Sequence, residues 1–314
     1  MFSAENFIRE AVEHLKKEVK GRAIIAVSGG VDSTTAAVLA SKALGKDLRA
    51  VYVDTGMMRK GEREEVEGTL RDLGVNYVVL EAASRFFKAL EGVEDPEAKR
   101  RIIGGTFVEL FEIEAGRVGA EYLIQGTIAP DWIESGGQLR DRIKTHHNVA
   151  GLPSGMTLQV VEPLRDLYKD EVRKVARALG IEVAERQPFP GPGLAVRVAG
   201  EVTPEKIGIV REACAIVEEE VDSACETGAM RSPWQYFAVL LPLRTVGVEG
   251  DLRVYGHTVA IRSVESVDGM TASYSEIPYD VLGRISTRIT NEVKGVNRVV
   301  YDITNKPPGT IEWE

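Results

Sequence analysis

The segment Ser28-Gly29-Gly30-Val31-Asp32-Ser33 limits what this chain can fold into more than any other, because it stands between two readable elements. Ala23 to Val27 is a short apolar run that predicts a buried strand. Ser33 to Leu44, rich in alanine and carrying Val38 and Leu39, predicts the helix that follows. Two glycines let the backbone turn sharply and approach a ligand, and the free N–H groups of a helix start favour an anion there. The hydroxyls of Ser28, Ser33 and Thr34 add donors, and Asp32 supplies a carboxylate for a divalent metal, whose charge offsets phosphates. Neither G-x-x-x-x-G-K-[ST] nor G-x-G-x-x-G describes the string. An ordinary glycine turn would need neither the serines nor the aspartate.

The first two-thirds of the chain alternate strand and helix patterns. Ile8, Ala11, Val12, Leu15 and Val19 mark an amphipathic helix leading into the first strand. Leu48 to Val53, Asn76 to Leu80 and Tyr122 to Ile124 read as further strands with helices between them. Val172, Val175, Ala176 and Leu179 follow the i, i+3, i+4, i+7 rule, with Gly180 as the stop. This order predicts an α/β fold: a parallel twisted sheet with helices on both faces and ligands at the carboxyl ends of the strands.

Gln187-Pro188-Phe189-Pro190-Gly191-Pro192-Gly193 breaks that pattern, so residues 1–187 form the expected first domain and 188–193 a linker. Residues 194–314 follow a different order. A strand is expected near 194–198, a helix over 204–224, strands over 234–240 and 253–264, a helix over 279–293 and a last strand near 297–303. That is a smaller α+β domain, and strands in need of a partner surface make it a candidate for dimerisation. Cys214 and Cys225 fall on the stripe Ile207, Val210, Cys214, Val217, Val221, Cys225 of one helix. Eleven helical residues separate them by about 16 Å, too far for a disulfide.

At 314 residues the chain is long enough for about two domains, and 44% hydrophobic with 28% charged residues is the balance of a globular protein. A net charge of -9 argues against broad nucleic-acid binding. No apolar run approaches the ~20 residues of a membrane span, and the N-terminus shows no signal-peptide pattern, so a cytoplasmic location is expected.

Residues 135–159 are the longest stretch without a pattern, with glycines at both ends and a basic centre, which predicts a lid over a phosphorylated ligand. Within it, Lys144, His146 and His147 suit a clamp on developing negative charge, or a solvated loop. Asp131 and Glu134, just after the fourth strand, read as partners of Asp32 on Mg²⁺, as groups that position a nucleophile, or as helix-start acids. Val53, at a strand end, offers its backbone to an adenine edge or simply ends a strand. Lys99-Arg100-Arg101, after the helix start Asp95-Pro96-Glu97, reads as a solvated face. The tail Asn305 to Glu314 carries two prolines, an isoleucine and a tryptophan that are costly to leave in water. It is expected to be pinned, with Lys306 beside an anion.

The loop Ser28 to Ser33 resembles the pyrophosphate loop of the N-type ATP pyrophosphatases, which cleave ATP between its α and β phosphates and adenylate a substrate. Further strings are similar to the ATP pyrophosphatase part of the GMP synthetase family: Val53 to Glu62, Asp95 to Gly104, Gln125 to Ser135, Ile143 to Leu152, Pro188 to Arg197 and Lys306 to Glu314, in family order along nearly the whole chain. The Pro-Phe-Pro-Gly-Pro-Gly linker and the Lys-Pro-Pro-Gly-Thr-Ile-Glu-Trp-Glu tail are the selective ones.

The resemblance implies an adenine nucleotide alpha hydrolase-like first domain that binds ATP and Mg²⁺, and a second domain that dimerises and binds XMP. It implies ATP binding by Ser28, Gly29, Gly30, Val31, Asp32, Ser33, Thr34, Val53 and Gly126, with Asp32 on the metal. Asp131, Glu134, Lys144, His146 and His147 take catalytic roles. Gln235, Arg298, Lys306, Ile311 and Glu312 bind XMP, Lys306 and Arg298 meeting its 5′-phosphate. Many members carry an N-terminal glutaminase domain, whereas this chain begins almost at the pyrophosphatase part and has no cysteine in a nucleophile context. Ammonia is therefore expected from solution or from a separate glutaminase subunit. Rival readings are another ligase of the same loop, such as NAD synthetase or a tRNA-modifying adenylase, and a non-catalytic nucleotide-binding dimerisation module.

Overall fold

A computed structural model describes residues 2–129, 158–182, 187–267 and 269–314. The chain divides into two compact units. One comprises Met1–Asp54, Glu62–Ala82 and Gly105–Glu185; the other comprises Thr55–Gly61, Ala83–Gly104 and Arg186–Glu314. The second unit therefore draws two short segments from the early part of the sequence, which a single cut near residue 187 does not express.

The first unit is built on five parallel strands: β1 (Ala23–Ala26), β2 (Leu48–Asp54), β3 (Tyr77–Glu81), β4 (Tyr122–Ile124) and β5 (Gln159–Val161), in the order β3-β2-β1-β4-β5. Central β1 reads Ala-Ile-Ile-Ala because it has neighbours on both sides and helices above and below, while edge strand β3 is only half-buried. The sheet has one strand more than the sequence pattern predicts. Strand β5 is three residues long and pairs with β4 through Ile124 and Val161, too short for its alternation to register.

Helix α1 (Ala4–Glu18) is capped by Ser3, whose hydroxyl accepts from Asn6 N–H at 3.4 Å. Helix α2 (Val31–Leu44) is buried continuously from Thr34 to Ala40, which explains its alanine content: small side chains let a helix lie close on a sheet. Helix α3 (Glu62–Asp72) and α4 (Ala83–Ala89) flank β3 in sequence, and α5 (Pro96–Val118) starts at Asp95, whose carboxylate accepts from Ala98 N–H at 2.7 Å. Helix α6 (Lys169–Ala178) buries Val172, Val175 and Ala176 and stops near Gly180, at φ 79.

In the second unit the expected strand near 194–198 is a tight 3-10 turn, Gly193–Arg197, entirely buried. The Pro-Gly-Pro-Gly sequence causes this. Gly193 N–H closes a turn onto Pro190 O at 2.9 Å, its φ is 67, and a side chain there would collide with the Met57 carbonyl. Only Val198 pairs, with Leu240. Helix α7 (Pro204–Glu226) has Thr203 as its cap and Pro204 in its first turn. It packs on a sheet centred on β7 (Leu252–Glu265), which pairs antiparallel with β6 (Gln235–Glu249) and with β8 (Ser273–Tyr274), and parallel with β9 (Val296–Asp302). Helix α8 (Tyr279–Glu292) completes the unit. Beyond the bulge between Leu240 and Arg244, β6 and β7 run on as a two-stranded arm. There Val248, Leu252 and Tyr255 are 76%, 72% and 68% exposed. No helix among the described residues is long and apolar enough to cross a membrane.

Candidate nucleotide sites

The strand order reverses between β1 and β4, and this is where a doubly wound sheet opens a crevice at its carboxyl edge. The Ser28 loop leaves β1 at that point, and Gln125 to Ala129 leaves β4 beside it. Gly30 caps α2 with no side-chain bond of its own, so the first amides of the helix are left for a ligand. The loop is braced from within. Ser33 Oγ donates to Gly30 O at 3.1 Å and accepts from Ser28 N–H at 3.2 Å, and Ser28 Oγ accepts from Gly30 N–H at 3.3 Å.

Gly29 sits at φ 82, with Val66 filling the space a side chain would take. Gly126 lies so close to α2 that a Cβ would be 3.0 Å from both Asp32 C and Ser33 N. Of the expected ATP-binding residues, Ser28 and Gly30 are exposed, and Gly29, Val31, Asp32 and Ser33 are half-buried. Thr34 and Val53 are buried, Val53 as a β2 residue paired with Leu80.

Asp32 has two different oxygens. Oδ2 accepts from Lys169 Nζ at 2.5 Å, while Oδ1 is buried without a hydrogen-bond partner among the described residues. Lys169 opens α6, where a cation opposes the helix dipole, so an anionic partner is what holds it there. The sequence reading missed Lys169, because nothing before the fold links residue 169 to residue 32. At the carboxyl ends of β2 and β3, Arg63 spans Asp54 at 3.0 Å, Glu67 at 2.8 Å and Glu81 at 2.8 Å, and these bonds hold its guanidinium charge more firmly. Asp131, Glu134, Lys144, His146 and His147, with the expected lid up to residue 157, lie outside the described residues.

In the second unit, the tail is pinned as expected, but by cations that the sequence reading did not assign to it. Arg197 is fully buried and grips Glu312 with two bonds, Nε to Oε2 at 3.1 Å and Nη2 to Oε1 at 3.0 Å. Gln235 Nε2 donates to the same Oε1 at 2.9 Å and to Pro188 O at 3.2 Å. The guanidinium of Arg197 lies over the rings of Phe237, at 4.1 Å, and Phe189, at 5.1 Å. Arg262, also buried, donates to Thr304 O at 2.5 Å and Thr310 O at 2.9 Å, and Ile311 is buried.

Lys99 is the clearest correction to the sequence reading. It is buried, not part of a solvated face, and donates to Val198 O at 2.8 Å and to the Glu314 carboxylate; Arg100 reaches the Glu314 carbonyl. Burial pushes the Lys99 ammonium below its ordinary range, against the pull of Glu314. One charged residue inside an apolar turn, Leu194-Ala195-Val196-Arg197-Val198, was the available signal for Arg197.

Gln235, Ile311 and Glu312 thus belong to one neighbourhood, while Lys306 donates to Gly269 O at 2.7 Å. Arg298 lies elsewhere. It is paired with Thr258 on β7 and its Nε donates to Thr245 Oγ1 at 3.1 Å, whereas Lys306 bridges Ala272 beyond the Glu265 end of the same strand. Seven residues of strand are about 23 Å, more than the two side chains span, so one chain does not bring Lys306 and Arg298 to one phosphate.

A doubly wound sheet with a serine- and glycine-rich loop and an aspartate at its switch point defines a pyrophosphate-loop nucleotide enzyme. Residues 2–100 match the NAD synthase family, and residues 222–313 match the GMP synthase C terminal domain. The chain is 60% identical over 314 residues to a subunit of the glutamine-hydrolyzing GMP synthase of Pyrococcus abyssi, covering 99% of each. It is 60% identical over 318 residues to the subunit of the same name in Methanocaldococcus jannaschii, covering 100% of each. Among solved structures, the NH3-dependent NAD synthetase of Campylobacter jejuni aligns with a TM-score of 0.44 at 17% identity, over 58% of this chain and 76% of that one. The chain belongs to the family of these GMP synthase subunits, ligases of purine biosynthesis.

Proposed function

We propose that this chain adenylates XMP with ATP and aminates the product with ammonia from a separate glutaminase subunit. The observation that carries the first step is the Ser28–Ser33 loop at the switch point, with the Asp32 oxygen beside it lacking a partner among the described residues. The pyrophosphate of ATP rests on the loop amides and hydroxyls. A buried carboxylate oxygen with no donor suits a divalent cation, so Asp32 holds Mg²⁺, which when bound would offset phosphate charge. Lys169, released from Asp32, meets the phosphates. O2 of the xanthine ring attacks the α-phosphorus and expels pyrophosphate; ammonia then attacks C2 and expels AMP, leaving GMP. Asp131, Glu134, Lys144, His146 and His147 act in these steps, from which water must be excluded because the adenylate is prone to hydrolysis.

XMP is held by Gln235, Lys306, Ile311 and Glu312. The exposed Val246, Val248 and Tyr255 lie on one face of the arm and support a homodimer through this unit. Arg298, adjoining that arm, serves the nucleotide of the second copy. The expected compartment is the cytoplasm. Pyrophosphate release from ATP with XMP plus ammonium, against nicotinate adenine dinucleotide as acceptor, tests the reading. Release that ignores XMP overturns it.

A further inference from the structure

We infer that Arg197 is a positioning residue for nucleotide recognition: it fixes the Glu312 carboxylate so that one lone pair of Oε2 faces the XMP donor group. The inference rests on the proposed role of Glu312 in binding XMP.

A carboxylate offers about four acceptor positions. Among the described residues, Oε1 of Glu312 takes Arg197 and Gln235 and Oε2 takes Arg197 Nε, which leaves one acceptor on Oε2. The side chain keeps 14% of its exposure while Arg197 keeps none, so a ligand can reach Glu312 but not the guanidinium that holds it. Arg197 is itself immobilised. Its guanidinium carbon lies over the rings of both Phe237 and Phe189, and its Nη1 donates to Cys214 Sγ at 3.8 Å. Phe189 belongs to the Pro-rich linker, whose Pro188 carbonyl also holds Gln235. A flat bidentate fork sets both the plane and the rotation of a carboxylate, which a lysine does not.

The fixed positive charge also cancels that of Glu312. A bare carboxylate would repel a nucleotide monophosphate; the paired one accepts a hydrogen bond from ribose or base without adding net negative charge to the site.

The test is a double-mutant cycle on steady-state pyrophosphate release with XMP, ATP and ammonium. R197K is expected to raise the KM for XMP about tenfold while kcat and the KM for ATP stay within about twofold. R197K/E312Q is expected to be no worse than E312Q alone. Should R197K fail to fold, F189L removes one of the two aromatic rings at the guanidinium and leaves the buried charge in place. A smaller rise in the XMP KM is expected, and it should vanish in the E312Q background. Effects that multiply between Arg197 or Phe189 and Glu312 show a merely structural role and overturn the inference, even with a normal wild-type response to XMP. A wild-type protein indifferent to XMP overturns the functional reading and this inference together.

Discussion

Lys169 Nζ lies 2.5 Å from Asp32 Oδ2, across 137 residues of sequence, and it is the only counter-charge that the described residues give the loop aspartate. Because Asp32 Oδ1 has no donor among them, the pair is half of a site rather than a closed ion pair. Replacing Lys169 with methionine should raise the KM for ATP more than tenfold and leave thermal stability nearly unchanged, since both partners are partly exposed. D32N should fold and lose ATP turnover. An ATP KM unmoved in K169M refutes the assignment.

Gly126 tests how closely the β4 turn must approach α2. In G126A the new methyl meets backbone atoms of Asp32 and Ser33 at 3.0 Å. Backbone at a helix start yields poorly, and a cost of about 1–3 kcal/mol is expected from overpacking. Activity should fall further than stability, because the displaced turn borders the loop proposed to hold the phosphates. Chemical denaturation and ATP turnover measured side by side separate the two effects.

Lys99 and Glu314 form a buried pair, at 0% and 9% side-chain exposure. K99M leaves the Glu314 carboxylate without its partner, and loss of one member of such a pair costs about 3–5 kcal/mol. K99M/E314Q should recover part of that loss. A K99M protein with an unchanged melting temperature contradicts the pairing.

Glu220 gives the second unit an acid-sensitive joint between α7 and α8. Burial pushes its carboxyl up, but hydrogen bonds from Arg284 at 2.9 Å and Arg288 at 3.1 Å outweigh this and leave it below its ordinary 4.5. A carboxyl lowered in the folded state contributes stability that is present above its unfolded value and lost as pH falls through its folded value. Unfolding titrations below pH 4.5 should therefore show a steeper loss in the wild type than in E220Q.

Tyr255 and Val246 face each other across the arm and are both exposed. Y255E should shift a homodimer towards monomer in sedimentation without lowering the melting temperature of the monomer. A dimer indifferent to charge at Tyr255 places the interface elsewhere.

Much of the first unit was legible because its signals are local. An apolar run, a glycine turn and an alanine-rich helix placed Ser28 to Ser33 at a strand end, and the fold puts that end at the switch point. The tail was legible as something pinned, since Ile311 could not stay in water. What pins it was not legible. Lys99 stands in a charged run, where only three-dimensional packing separates a buried cation from a solvated one; Arg197 stands out within an apolar turn, but nothing local joins it to Glu312. The same holds for Lys169, whose partner is 137 residues away. Residues 194–198 were misread because apolar β-formers outweighed the Pro-Gly turn that coils them.

The second unit also constrains the order in which the chain can become native. Lys99 meets its carboxylate 215 residues later and Arg197 meets Glu312 115 residues later. Until that final segment arrives, two buried positions hold unneutralised cations, and the surrounding core cannot close favourably around them. The unit is thus dominated by long-range closures, which makes for slow folding. On a ribosome, the sheet at the front of the chain can assemble while synthesis continues, but the second unit must wait for Glu312 and Glu314.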